Sequence, residues 1–158
     1  MVTQHLNLIL SSPEETATLA RRLAPQLRAG DVLLMEGDIG AAKTHFARSL
    51  IQPLLAEPED VPSPTFTLVQ IYDTPDFDIW HVDLYRLTSP DEVVELGLVE
   101  AFEDALCLVE WPDRLADLKP KSALTLQLKM LEDVGVRSLT LAADSPRWTD
   151  LFRDLAHD

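Results

Sequence analysis

A single cysteine in 158 residues leaves no pair for a disulfide and too few thiolates for a cysteine metal site. That residue, Cys107, lies in the apolar run 106–109, so it is expected to act as a small buried hydrophobe. Long hydrophobic runs are missing as well. No stretch approaches the roughly 18 to 20 apolar residues that cross a bilayer. The first ten residues lack the basic start and small-residue cleavage site of a signal peptide, so the expected location is the cytoplasm and no membrane partner is expected. Positive charge is scarce: 13 Lys and Arg face 27 Asp and Glu, for a formal net charge of −14. Such a surface repels a phosphate backbone and carries no basic stripe to offset that, which argues against strong direct nucleic-acid binding. A basic protein, or the basic patch of a larger complex, suits it better; the plainer alternative is that the acidity serves solubility alone. Repeats, low-complexity tracts and long linkers are absent too. Residues 1–158 therefore read as one domain, large enough to bury a real core.

Glycine is also sparse, with five in the chain, yet two of them fall in one eight-residue segment. Gly37-Asp38-Ile39-Gly40-Ala41-Ala42-Lys43-Thr44 follows the phosphate-loop pattern G-x-x-x-x-G-K-[ST], except that Ala42 fills the second glycine position. In such a loop the backbone N–H groups wrap a β-phosphate, the lysine meets the β and γ oxygens, and the Thr hydroxyl serves magnesium. The flanks have the required types. Residues 32–35 form a short apolar run suited to a buried parallel strand, and Phe46, Ala47, Leu50, Ile51 and Leu54 share one helical face after Lys43. An ordinary strand-to-helix turn is the competing explanation. The Ala42 methyl matters because glycine is used where φ is positive or where a phosphate leaves no room for a Cβ. Forcing a side chain there costs about 1 to 3 kcal/mol, so weakened binding is expected and loss is not.

The rest of the chain fixes the fold class. Residues 5–10 alternate as a strand, and Ser12-Pro13-Glu14-Glu15 supplies an N-cap, a proline at the first helical position and a capping glutamate. The helix so started is expected to run to about residue 28, with Gly30 as its stop. Pro53 bends or ends the helix after the loop. Residues 66–72 and 77–85, rich in aromatic and β-branched types, read as a hairpin about residues 73–76. Ser89-Pro90-Asp91-Glu92 starts a short helix closed by Gly97, and 106–109 is another buried strand. Residues 122–131 and 136–142 suggest a second hairpin before a last helix near 146–155. The expected class is α/β: a three-layer, P-loop NTPase-like domain with a mixed parallel and antiparallel sheet.

A magnesium-nucleotide site needs a carboxylate near the metal and a group to place the attacking water. Two acids end apolar strands, Asp83 after 79–82 and Glu110 after 106–109. The uninterrupted strand makes Glu110 the cleaner metal-side acid, whereas Asp83 lies in an aromatic and histidine-bearing strand; a surface carboxylate beyond the strand end is the alternative for each.

Five blocks, in order, resemble the TsaE (also called YjeE) family: the loop itself, Ser63-Pro64-Thr65-Phe66-Thr67-Leu68-Val69, His81-Val82-Asp83-Leu84-Tyr85-Arg86-Leu87, Glu95-Leu96-Gly97-Leu98, and Cys107-Leu108-Val109-Glu110-Trp111-Pro112. The resemblance covers about residues 10 to 115. It implies a small bacterial ATPase needed for threonylcarbamoyladenosine in tRNAs that read codons starting with A. Such a protein does not transfer the group itself, but binds the complex of TsaD, the transferase, with TsaB and supports its repeated turnover through ATP hydrolysis. Its cofactors would be ATP and Mg. The resemblance further implies that backbone N–H groups of Asp38, Ile39, Gly40, Ala41, Ala42, Lys43 and Thr44 form the cradle. Lys43 would touch the β and γ phosphates and Thr44 would ligate magnesium. Asp83 and Glu110 would share the magnesium and water-orienting roles, which makes Lys43, Asp83 and Glu110 the catalytic candidates. Thr65 lies where a switch-like segment senses a γ-phosphate, and Trp111 would lie close to the nucleotide, core packing being its alternative. Thr16 and the turn at 135–137 are weaker candidates for approach to the base.

Two positions of the loop block depart from the family, which has Gly in place of Ala42 and usually Thr in place of His45. His45 either brings an imidazole near the α-phosphate or faces solvent. Two other functions share this loop. A small-molecule kinase should add an arginine-rich lid, and no arginine cluster beyond Tyr85-Arg86 suggests one. A degenerate P-loop docking module, with Ala42 having removed effective nucleotide binding, is the second alternative.

Overall fold

Strands β2 (Val32–Glu36) and β5 (Leu106–Glu110) are apolar at nearly every position, a pattern stable only where both faces of a sheet are covered. A computed structural model describes residues 3–37, 43–57, 59–62, 64 and 68–156 and places these two strands side by side in one seven-stranded sheet. The other strands are β1 (Gln4–Leu10), β3 (Val69–Asp73), β4 (Asp78–Asp83), β6 (Leu124–Met130) and β7 (Arg137–Ala143). Their order is β1-β7-β6-β2-β5-β4-β3. The four from β6 to β4 run parallel, and antiparallel pairs flank them on both sides. The sheet is mixed, as the two hairpin signals imply.

Because successive side chains leave a strand on opposite faces, Leu33, Met35, Leu106 and Leu108 enter one core while Val32, Leu34, Cys107 and Val109 enter another. The first core is closed by α1 (Pro13–Leu23), α2 (Lys43–Ile51) and α5 (Thr149–Ala156), through Leu19, Leu23, Phe46, Leu50, Leu151 and Leu155. The second is closed by α3 (Pro90–Glu95), α4 (Leu98–Asp104) and a 3-10 segment at Pro112–Leu118, through Val93, Leu98, Ala101 and Leu115. Three layers result. None of the described helices is long and apolar enough to cross a membrane.

Local chemistry sets where the helices begin and end. Ser12 caps α1 by accepting from the Glu15 N–H at 3.2 Å, and Glu15 reaches back to the Ser11 N–H at 2.9 Å. The α1 helix stops at Leu23, short of the expected residue 28, and tightens into a 3-10 turn at Ala24–Gln26. Pro25 is the cause, since it has no N–H and its ring collides with the preceding turn. The segment begun by Ser89 also divides: Gly97, at φ +81°, closes α3 and starts α4, a helix not foreseen in the sequence. Strand β3 begins at Val69, and positions 66 and 67 of its expected span lie outside the described residues.

The C-terminal segment is tied back to the central strand. Asp31, just before β2, accepts from Arg147 twice, at 2.9 and 2.7 Å, and from the Arg28 N–H at 2.8 Å. Arg147 also donates to the Gln26 carbonyl at 2.7 Å, so the pair is satisfied on both sides.

Candidate functional site

In an open α/β sheet the carboxyl ends of parallel strands form the crevice where ligands bind. Here β2, β5 and β4 end level with one another, with Met35 opposite Glu110 and Glu110 opposite Asp83. Both candidate acids are therefore neighbours at one sheet edge, and both are buried. Helix α2 starts there, at Lys43 and Thr44.

Thr44 joins α2 to β5. Its hydroxyl donates to the Glu110 carboxylate, 3.2 Å from Oε2 and 3.3 Å from Oε1. From the other side His81 lies 2.7 Å from Glu110 Oε2 through its Nε2. An ionised carboxylate only accepts, so Nε2 carries the proton of this bond. The three residues thus form one chain, Thr44–Glu110–His81, across α2, β5 and β4. Its last atom stands apart: His81 Nδ1 is buried and has no hydrogen-bond partner among the described residues.

Asp83 is held differently. Its Oδ1 accepts from the Tyr85 N–H at 2.9 Å, fixing the turn after β4, while its own N–H donates to the Leu68 carbonyl at 2.9 Å. Leu68 takes a left-handed φ of +69°.

Lys43 is buried, and its ammonium donates to the Gly37 carbonyl at 2.7 Å. The same Nζ lies 3.6 Å from the centre of the Trp111 ring, close enough for a cation–π attraction. Trp111 follows Glu110 directly and adopts φ +60°, a left-handed conformation that costs a non-glycine residue about 1 to 2 kcal/mol. That strain turns the indole back over the strand ends. Tyr85 packs beside it, ring centres 4.8 Å apart. Strain of this kind is concentrated at functional positions.

His45 is half-buried, its Nε2 3.1 Å from the Pro13 carbonyl at the start of α1. The Thr16 hydroxyl is directed to the Ser12 carbonyl at 3.3 Å. Gly135, in the β6–β7 turn, lies against the same corner: a Cβ there would come within 3.3 Å of Pro13 Cδ. Asp38, Ile39, Gly40, Ala41, Ala42 and Thr65 lie outside the described residues. Lys43, Thr44, Asp83, Glu110 and Trp111 gather at one edge, and His45, the residue after Thr44, is directed instead to the start of α1. His81 and Tyr85 were not singled out in the sequence. Strand alternation carried the signal for His81, since two residues before Asp83 is the same face of β4.

The donor set at this edge is hydroxyl and carboxylate oxygen. Such hard ligands suit magnesium, which is usually held by one or two carboxylates and completed by phosphates and water. Among the described residues no group of three His, Cys, Asp or Glu is placed to hold a metal ion.

Comparisons with known proteins point to one family. The family model described as "Threonylcarbamoyl adenosine biosynthesis protein TsaE" matches residues 10–138. A tRNA threonylcarbamoyladenosine biosynthesis protein TsaE of Rickettsia bellii is 44% identical, over 79% of this chain and 87% of its own. One of the same name from Bacillus subtilis is 36% identical over 93% and 92% of the two chains. The crystal structure of YdiB from Bacillus subtilis has a TM-score of 0.79 and 28% identity, covering 99% of this chain and 97% of that one.

Proposed function

The chain belongs to the TsaE family of threonylcarbamoyl adenosine biosynthesis proteins, and from that premise we propose that it binds and hydrolyses ATP as an accessory to this tRNA modification, acting on a complex of TsaD-like and TsaB-like proteins. One observation carries the reading: the loop lysine and threonine stand at the same sheet edge as two buried strand-end acids, with Thr44 already bonded to Glu110. In this reading Lys43 leaves the Gly37 carbonyl and the Trp111 ring to meet β and γ oxygens. Thr44, with Glu110 or Asp83, would hold magnesium, which would supply charge neutralisation for the phosphates. Of the two acids, Asp83 is anchored by the backbone of its own turn, and Glu110 is bonded to side chains on two other elements. Trp111 closes one side against water. The loop amides from Asp38 to Thr44 cradle the β-phosphate, and Thr65 senses the γ-phosphate.

The remaining proposals are that residues 1–158 work as a single domain, that the protein acts in the cytoplasm, and that its acidic surface docks on protein rather than on tRNA. The net charge of −14 supports the last of these. Ala42 favours a second reading, a docking module of the same family that no longer binds nucleotide effectively.

The test is a turnover assay in which a TsaD–TsaB complex modifies tRNA with ATP and this chain present. Product is expected beyond one equivalent of complex with the wild-type chain and not with Lys43→Ala. Equal product with the two chains contradicts an ATP-driven role.

A further inference from the structure

We propose that His81 is a positioning residue of the nucleotide site: its Nε2–H fixes the Glu110 carboxylate in the one orientation in which Thr44 and the metal-side oxygen are correctly placed. The inference rests on the functional reading above in taking Glu110 as a magnesium-side acid.

The geometry supports this from three directions. His81 is fully buried in β4, on the face that also carries Asp83, and lies below Glu110 of the adjacent β5. Its bond to Glu110 Oε2, at 2.7 Å, is within the range of charge-assisted pairs and is shorter than either contact from Thr44. The imidazole therefore sets the carboxylate plane and the threonine adapts to it. Finally, Nδ1 has no hydrogen-bond partner among the described residues, which makes a purely structural role a poor explanation. A buried polar ring satisfied at one nitrogen only leaves a desolvated atom, and an apolar residue in a core of leucines would avoid that. The arrangement gains something only through what Nε2–H does to Glu110. Partners of this kind fix metal-side carboxylates, and their loss typically lowers metal affinity or activity about 10- to 100-fold.

The test compares wild type with His81→Phe, which keeps a ring of similar size without a donor, and His81→Gln, whose side-chain amide presents a donor at a similar reach. ATP binding is titrated with and without magnesium, and hydrolysis is followed alongside. His81→Phe is expected to lose about tenfold or more in kcat and in the magnesium-dependent part of affinity, with magnesium-free affinity unchanged. His81→Gln should recover most of that loss. Wild-type kinetics in His81→Phe, or an equal loss with and without magnesium, overturns the proposal.

A second measurement does not depend on activity. In the nucleotide-free protein, NMR should show a slowly exchanging imidazole proton on His81 Nε2 that shifts in Glu110→Gln. Protonation at Nδ1 instead, or no response to Glu110→Gln, overturns the inference even where His81→Phe does not fold. A wild-type chain that neither binds nor hydrolyses ATP defeats the functional reading, while the NMR result still decides whether His81 holds Glu110.

Discussion

At the scale of single residues, the side chains at this sheet edge are each held by specific partners. Glu110 is gripped from two elements, Asp83 is turned by the Tyr85 N–H, and Lys43 lies between a carbonyl and an indole face. Cys107 lies near the start of β5, three residues before Glu110, with its side chain on the opposite face of the sheet, in the second core. Burial pushes its thiol from an ordinary value near 9 up to about 12, and the Asp104 carboxylate adds to the effect. The folded chain therefore keeps a proton that the unfolded chain releases, so this contribution to stability is intact below pH 9 and is lost as pH rises from there toward 12. A thiol-alkylating reagent at pH 8 should leave the native protein unmodified and label one equivalent in denaturant. Rapid labelling of the native chain would show that Cys107 is reachable.

At the scale of elements, Asp83 and Glu110 are positioned by the ends of strands that are packed on both faces, and Lys43 and Thr44 by the start of α2. The start of β2 is fixed by Asp31, which Arg147 grips with two nitrogens from the C-terminal segment. Removing one member of a buried, fully bonded ion pair strands the other. Asp31→Ala is expected to lose about 3 kcal/mol in urea-induced unfolding, and a change below about 1 kcal/mol would show that the clamp is not structural. Elements of this kind were legible in the sequence where hydrophobic period and caps agreed, as at β2, β5 and the N-terminus of α1. Their ends were less so. Pro25 shortened α1, and Gly97 opened a further helix where it had been read only as a stop, because one glycine with positive φ ends one helix and starts another equally well. The 3-10 segment at Pro112–Leu118 has too short a period signal to stand out before its packing partners are known. For the candidate site, the strand-end positions of Asp83 and Glu110 could be read along the chain. The Glu110–His81 bond spans 29 positions, and the Trp111 turn depends on a backbone angle, so neither is a property of any local pattern.

At the scale of the whole molecule, a strongly acidic surface surrounds a crevice proposed to take an even more acidic ligand. A net charge of −14 opposes ATP, so on the proposed function binding would come from local groups: the loop amides, the Lys43 ammonium and magnesium. On the same proposal the Ala42 methyl would work against them, at a cost of about 1 to 3 kcal/mol, or roughly tenfold to a hundredfold, where the strain falls only on binding. The measurement that tests this most directly is a calorimetric titration of ATP with magnesium into the wild-type chain, Lys43→Ala and Ala42→Gly. The account predicts saturable binding to wild type, affinity at least about tenfold weaker in Lys43→Ala from the lost charged contact, and affinity about tenfold tighter in Ala42→Gly. Absence of binding to wild type, or identical affinities for wild type and Lys43→Ala, would contradict it.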